Sequence, residues 1–331
     1  MITICLSTLL AGCWDQNLLV NKKMINGISF DLTDDDKILA TVRALNIENK
    51  GGGQFEVNDE LVKVTRPAAS GLGVDINNKL PGQIDVSKAH IILIGKDLAE
   101  KKGIHPLLEL FYRPKGAFIS TRIVMAEDKA SDIISIDPQT SPIAFVILKG
   151  LQAAEQTTKI PKQTAFTAWT HITDPGSDIV LPYVKKDEED NIEIGGVDLF
   201  DGDKYSGISL PNEKASLLLL LMDDINKFSE MATNLDKHSS ISFIVKDLKR
   251  DLDIKKDKKT SKITAKINLT LKLTIISYSN AVYEKVNVDS LNKELSKILT
   301  KQAKEITSSL LKANCDALGI GRRISSSDPD L

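Results

Sequence analysis

The stretch ITAKINLTLKLTI, residues 263 to 275, places Ile263, Ala265, Ile267, Leu269, Leu271, Leu273 and Ile275 at every second position. A period of two is the signature of a β-strand with one face buried and the other open to water. At about 3.3 Å per residue, such a strand runs roughly 40 Å. Clean alternation belongs to antiparallel sheets, because strands of a parallel sheet are covered on both faces and read as unbroken apolar runs. Lys266, Asn268, Thr270 and Lys272 should therefore face solvent or a partner. From Ser290 to Ala313, Leu291, Leu295, Ile298, Ile306 and Leu310 recur at helical steps. That helix is expected to pack across the sheet.

Upstream, IEIGGVDLFDGDKYSGISL (192–210) reads as two strands around the Asp201-Gly202-Asp203 turn. Asn212 can cap a helix carrying the run Leu217–Met222, and Ser240–Leu248 alternates as a strand. Lys249–Ser261 reads as a charged loop, basic on balance but without the interleaved aromatics that stack on nucleic-acid bases. The six consecutive charges of Lys185–Asp190 are read as the junction between two domains.

Before that junction, strand and helix signals mix. Residues 24–30 and 37–47 read as strands around the acidic turn Asp34-Asp35-Asp36, which lacks the alternating spacing of a calcium loop. Gly51-Gly52-Gly53 is a loop and Glu56–Arg66 another strand. SGLGVD (70–75) lacks the third glycine of a dinucleotide loop and the β-α unit around it. His90–Ile94 reads as a buried strand, followed by a short helix that Gly103 closes. A second helix starts after His105, with Pro106 at its first position. A strand over Phe118–Met125 and helices over Asp128–Ile134 and Pro142–Glu155 complete this half. The expected fold class is α+β, with two mixed α/β domains and an antiparallel sheet packed by a long helix in the second.

The first dozen residues stand apart. Ile2–Gly12 carries no charge, and the chain turns polar directly after Cys13. This is the layout of a secretory signal peptide, although a basic segment before the apolar run is missing. Leu10-Ala11-Gly12-Cys13 resembles the bacterial lipobox, which implies cleavage before Cys13 and a diacylglycerol on its thiol. The domains expected are a signal peptide at 1–12, an N-terminal domain at 13–185 and a C-terminal domain at 191–331. No window holds the 18 or more apolar residues of a spanning helix. Attachment to a membrane would rest on the two acyl chains, which suffice for stable anchoring.

Composition narrows the functions. The chain has 331 residues, 42% hydrophobic and 27% charged, with a net charge of −2. That is ordinary globular composition, with no global field to attract nucleic acid. Beyond Cys13 only Cys315 remains, so neither a disulfide framework nor a cysteine zinc site is available. His90, His105, His171 and His238 do not pair at metal-ligand spacing. His171 and Asp174 sit three residues apart, but no Gly-x-Ser-x-Gly elbow offers a nucleophile. Asp198, Asp201 and Asp203 are read as turn formers, and Cys315 as inert. No catalytic, cofactor or metal site is expected. An alternative is a free-standing solute-binding lipoprotein. Such proteins usually have two doubly wound parallel lobes, which the long alternating strand argues against.

The order of segments resembles one family. Cys13-Trp14-Asp15, an early strand ending Gly27-Ile28-Ser29, HIILIGKDLAEKKGIHPLLELFYRP (90–114), IEIGGVDLFDGDKYSGISLPNE (192–213) and the closing strand and helix together resemble the Ger(x)C family, the lipoprotein C-subunits of spore germinant receptors. The resemblance implies a lipoprotein of sporulating Gram-positive bacteria on the outer face of the inner spore membrane. It also implies integral membrane A and B subunits as partners, and small nutrients such as amino acids as the signal. The polar tail Ser325–Leu331 departs from the family, whose members continue further, so the C-terminal domain is expected to be truncated and its sheet to expose an edge.

Overall fold

The computed structural model describes residues 22–52, 54–80, 83–112, 119–137, 141–174, 176–226, 228–256, 263–278 and 287–327. Strands β1 (Lys22–Leu32), β2 (Ile38–Gly51) and β3 (Gln54–Arg66) open the chain, followed by helix α1 (Leu72–Lys79) and the short β4 (Gln83–Asp85). Next come β5 (Ile91–Gly95), α2 (Lys96–Lys102), α3 (His105–Tyr112), β6 (Arg122–Ala126) and α4 (Ala130–Ile134). Helices α5 (Ile143–Gln156) and α6 (Ala165–Thr173) lead to β7 (Val180–Lys186), β8 (Ile192–Asp201), β9 (Lys204–Pro211) and α7 (Asn212–Met222). The chain continues with β10 (Ser229–Asn234), β11 (Ser240–Lys256), β12 (Ile263–Tyr278), α8 (Val288–Lys312) and α9 (Ile320–Ser327).

Among the described residues the strands form two sheets. One has nine strands in the order β3-β2-β1-β5-β6-β7-β8-β9, with β4 also on β1; the other has the order β10-β11-β12. At the centre of the large sheet β1, β5, β6 and β7 run parallel, and antiparallel strands flank them on both sides. Alternate residues of the central strands feed two cores. Ile91, Leu93, Val124 and Ala126 pack with α4, α5, α7 and the small sheet. Ile92, Ile94, Ile123 and Met125 pack with α1, α2, α3 and α6. Covered on both faces, β5 and β6 need no polar alternation, which is why IILI and IVMA are continuous apolar runs.

Gly95 and Gly103 are among the glycines that close approach requires. A Cβ on Gly95 would stand 2.5 Å from Asp31 Oδ1, and one on Gly103 would stand 2.2 Å from Asp203 Oδ2. Gly103 also has φ +76°, which suits its place closing α2. Asp31 needs the room because its two carboxylate oxygens accept the Ala130 and Ser131 N–H groups, each at 2.7 Å, and so cap α4. Burial raises its pKa despite those bonds.

Several readings change. Lys249–Lys256 is not loop but the continuation of β11, paired with β12 as far as Lys256 opposite Ile263. Lys249, Asp251, Asp253 and Lys255 face out while Leu248, Leu252 and Ile254 are half-buried, so charge masked a period of two. SGLGVD opens α1, with Asp75 bound to Arg66 at 2.5 Å. The run Lys185–Asp190 spans the turn between β7 and β8, where Asp187 accepts the Glu189 and Asn191 N–H groups. One sheet therefore takes strands from both sides of the run.

Candidate functional site

Cys13 and the leader at 1–12 lie outside the described residues. The described residues begin at Lys22, the start of β1. Because Gly27 pairs with Ile91 and Ile91 with Arg122, the parallel strands β1, β5 and β6 all begin at one end of the large sheet. At the opposite end lies a crevice of about 560 Å³ lined by Asp31, Asp97, Glu127, Asp128 and Asp132 together with Lys96, Lys129 and Lys186.

Among the described residues the long alternating strand lies at the sheet edge, with a neighbour on one side only. Ile267, Leu269, Leu271 and Leu273 are half-buried, and Lys266, Asn268, Thr270 and Lys272 are exposed, so the inward and outward faces are those expected. The inward face is nevertheless incompletely covered. Between it and Leu291, Leu295, Leu299 and Ala303 of α8 runs a groove of about 810 Å³. Ile263 and Ile275, at the two ends of the alternation, are exposed. Helix α8 crosses the sheet and seals only the part it meets, where Leu295, Ile306 and Leu310 are buried.

A buried polar cluster ties the two sides of the chain together. Lys96, first residue of α2, holds its ammonium 3.3 Å from Asp198 Oδ1 on β8 and 3.0 Å from Ser209 Oγ on β9. The ammonium also lies 4.4 Å and 5.3 Å from the ring centroids of Tyr183 and Tyr205, within cation–π range. Ser209 Oγ donates to Asp198 Oδ1 at 2.6 Å, which leaves it to accept from Tyr205 Oη at 2.8 Å. Burial raises the Asp198 carboxyl to about 6 and both tyrosines to about 12. Asp198 therefore belongs to this cluster on the strand and not to the turn. Asp203 does serve a turn, and its carboxylate accepts the His105 N–H.

The other candidate residues have structural partners. His90 packs edge-on against Phe145, and His105 stacks on Trp169. His171 Nδ1 lies 3.3 Å from Ser177 Oγ, and burial is the main cause lowering its pKa. Asp174 is paired with Arg322 of α9, not with His171. His238 donates its backbone N–H to Asp236. Cys315 is buried, its thiol pushed up to about 12, so little nucleophilic thiolate forms. Among the described residues no three His, Cys, Asp or Glu side chains converge on a metal position, and no helix is long and apolar enough to cross a membrane.

Two family models match in succession. The N-terminal domain of spore germination proteins matches residues 15–186, and the C-terminal domain described as spore germination B3/GerAC like matches residues 195–331. The crystal structure of the GerBC protein aligns at 17% sequence identity with a TM-score of 0.56, over 92% of this chain and 88% of that one. The shared features are those of the fold: a large mixed sheet and a second, antiparallel one. No curated protein matches the chain.

Proposed function

The chain belongs to the GerAC-like family of spore germination proteins, the C-subunits of germinant receptors, and on that premise we propose that it is a lipid-anchored, non-catalytic receptor subunit. A diacylglycerol on Cys13 holds it on the outer face of the inner spore membrane, where it assembles with integral membrane A and B subunits to trigger germination by small nutrients. The observation that carries this reading is the pair of consecutive family matches, which together span nearly the whole chain. The Leu10-Ala11-Gly12-Cys13 motif supports the anchor. Histidines and a cysteine committed to packing support a subunit without chemistry of its own.

The same reading divides the chain into modules 13–185 and 191–331, the second contributing β8 and β9 to the sheet of the first. Family matches that meet across residues 187–194 support that division. The groove beside β12 and the open edge of that strand suit a partner subunit, which can add a strand to the edge and seat apolar side chains against Leu269 and Leu271.

Cys13→Ala tests the anchor. It should leave an unlipidated, unprocessed precursor that is lost from spore membranes, with germination in response to nutrients reduced in parallel. Mass spectrometry of the N-terminus of membrane-purified protein reads the outcome directly. An intact Met1 there sinks the lipid-anchor reading.

A further inference from the structure

We propose that the end of the large sheet where β1, β5 and β6 begin is a bilayer-contact surface, seated on anionic phospholipid through an aromatic patch formed by Tyr112, Ile119, Phe166 and Trp169. The proposal rests on the lipid-anchor reading for its geometry, and its own evidence lies in the patch.

The four side chains come from α3, α6 and the segment before β6, and the topology gathers them at one end. Phe166 N–H donates to the Ile119 carbonyl, and Ala165 N–H to that of Thr121. Thr164 bridges to Arg122, the first residue of β6. Helix α3 is held at this end because His105 N–H donates to Asp203 on the β8–β9 turn, and Leu199 beside that turn pairs with Val180, where β7 begins. Tyr112 is 49% exposed, Phe166 45% and Ile119 42%. Trp169 is half-buried, its indole stacked between Tyr112 at 4.7 Å and His105 at 5.0 Å. A rigid stack of amphipathic rings with an exposed phenyl and an exposed aliphatic chain beside it matches the side chains that settle at the headgroup boundary.

Two further observations choose a membrane as the occupant. The first is where the described chain begins. β1 begins at the same end of the sheet, and eight residues lie between Cys13 and Lys22. A tether of that length reaches at most about 30 Å, which keeps this end close to any bilayer that holds Cys13. The second is the charge contrast between the ends. Beside the patch, residues 119–122 and 156–173 contain no Asp or Glu and Lys88, Lys159 and Lys162 are exposed, while Glu109 of α3, Asp174 and Asp203 are the half-buried carboxylates of this end. The opposite end carries the crevice in which five carboxylates outnumber three lysines. The exposed lysines beside the patch attract an anionic surface, and the carboxylates of the opposite crevice repel it.

Trp14 and Trp169 are the only tryptophans, so Trp14→Phe leaves Trp169 as a single reporter. The membrane-purified full protein carrying Trp14→Phe is reconstituted into phosphatidylglycerol/phosphatidylethanolamine vesicles, with or without bromine on the acyl chains. Brominated lipid should quench Trp169 emission. A tryptophan placed at the acidic end by Lys129→Trp, with Trp14→Phe and Trp169→Phe, should keep its emission in the same vesicles. Mass spectrometry of the Cys13 peptide is run on each preparation. Quenching confined to Trp169 supports the proposal even if Cys13 proves unmodified, in which case only the anchor reading fails. Unquenched Trp169 in protein that floats with the vesicles overturns the proposal, leaves the anchor standing and assigns the patch to a protein partner. Equal quenching at both ends, or no flotation at all, overturns it too.

Discussion

Strands β5 and β12 answer the same question, what covers a strand, in opposite ways. β5 is five residues with no exposed position, a parallel strand between two others and under helices on both faces. β12 is sixteen residues at a sheet edge, half-buried on one face and open on the other. A short strand that is covered everywhere can do nothing but hold the fold together. A long strand that is covered on part of one face keeps, among the described residues, an unpaired backbone edge and an apolar groove, which are features a partner could use. The two strands thus contrast an interior that is filled with an edge that is left open among the described residues.

The sharpest way to break the comparison is a charge in the interior. Leu93→Asp in β5 places an unpaired carboxylate where nothing reaches solvent, which costs several kcal/mol. That is a large share of the roughly 5–15 kcal/mol that holds a domain folded. The variant should be absent from spore membranes and unfolded when expressed, by circular dichroism. The same change on β12, Leu271→Asp, enters a groove that already admits water, and its cost should be about 1–3 kcal/mol. Urea denaturation should show a lowered midpoint in a protein that still folds. Equal losses for the two variants would show that β12 is as tightly covered as β5.

The third test concerns the polar cluster that follows β5. Burial raises Asp198 to about 6, against an unfolded value of roughly 3.9. Between those values the folded state holds a proton that the unfolded state has released. The stability contributed by Asp198 is therefore complete below about pH 4 and lost as pH rises through about 6. Asp198→Asn removes this titration. The stability difference between wild type and variant should shift in favour of the variant from pH 4 to pH 7, read as urea midpoints at each pH. A difference that does not change with pH would mean that Asp198 keeps its ordinary value. The smallest effect is expected on the open face of β12, where Thr270→Asp should change stability by less than about 0.5 kcal/mol. If this variant reaches normal levels in spore membranes and still blocks germination, the edge of β12 docks a partner. If germination is normal, docking lies elsewhere.

Much of the fold can be read directly from local pattern. The hairpin at Asp201-Gly202-Asp203, the leucine helix, the long α8 and the two faces of β12 each follow from local residues, although Asn212 does not cap the leucine helix: it lies inside α7 and its amide donates to the Ile194 carbonyl of β8. Elsewhere local pattern misleads. Charged side chains on the outer face of β11 hide its alternation. The acidic turn after β7 has the composition of a linker although its flanking strands pair. Lys96 and Asp198 are separated by too much chain for any local signal to join them. The aromatic patch draws on α3, α6 and the approach to β6, and no one of those segments looks unusual alone.

By itself the sequence determined many of the strands and helices, though not α1, α6, β10, α9 or the far half of β11, together with the inward and outward faces of β12, the lipobox-like segment around Cys13 and the family, because each is written in short-range periodicity or in motifs of fixed spacing. The tertiary structure alone decided that one sheet runs across the charged turn, that β12 lies at an edge above an unfilled groove, and that Lys96 meets Asp198. These depend on which strands become neighbours. Neighbours are chosen by the burial of apolar faces over the whole chain, and that choice leaves no mark in any single segment.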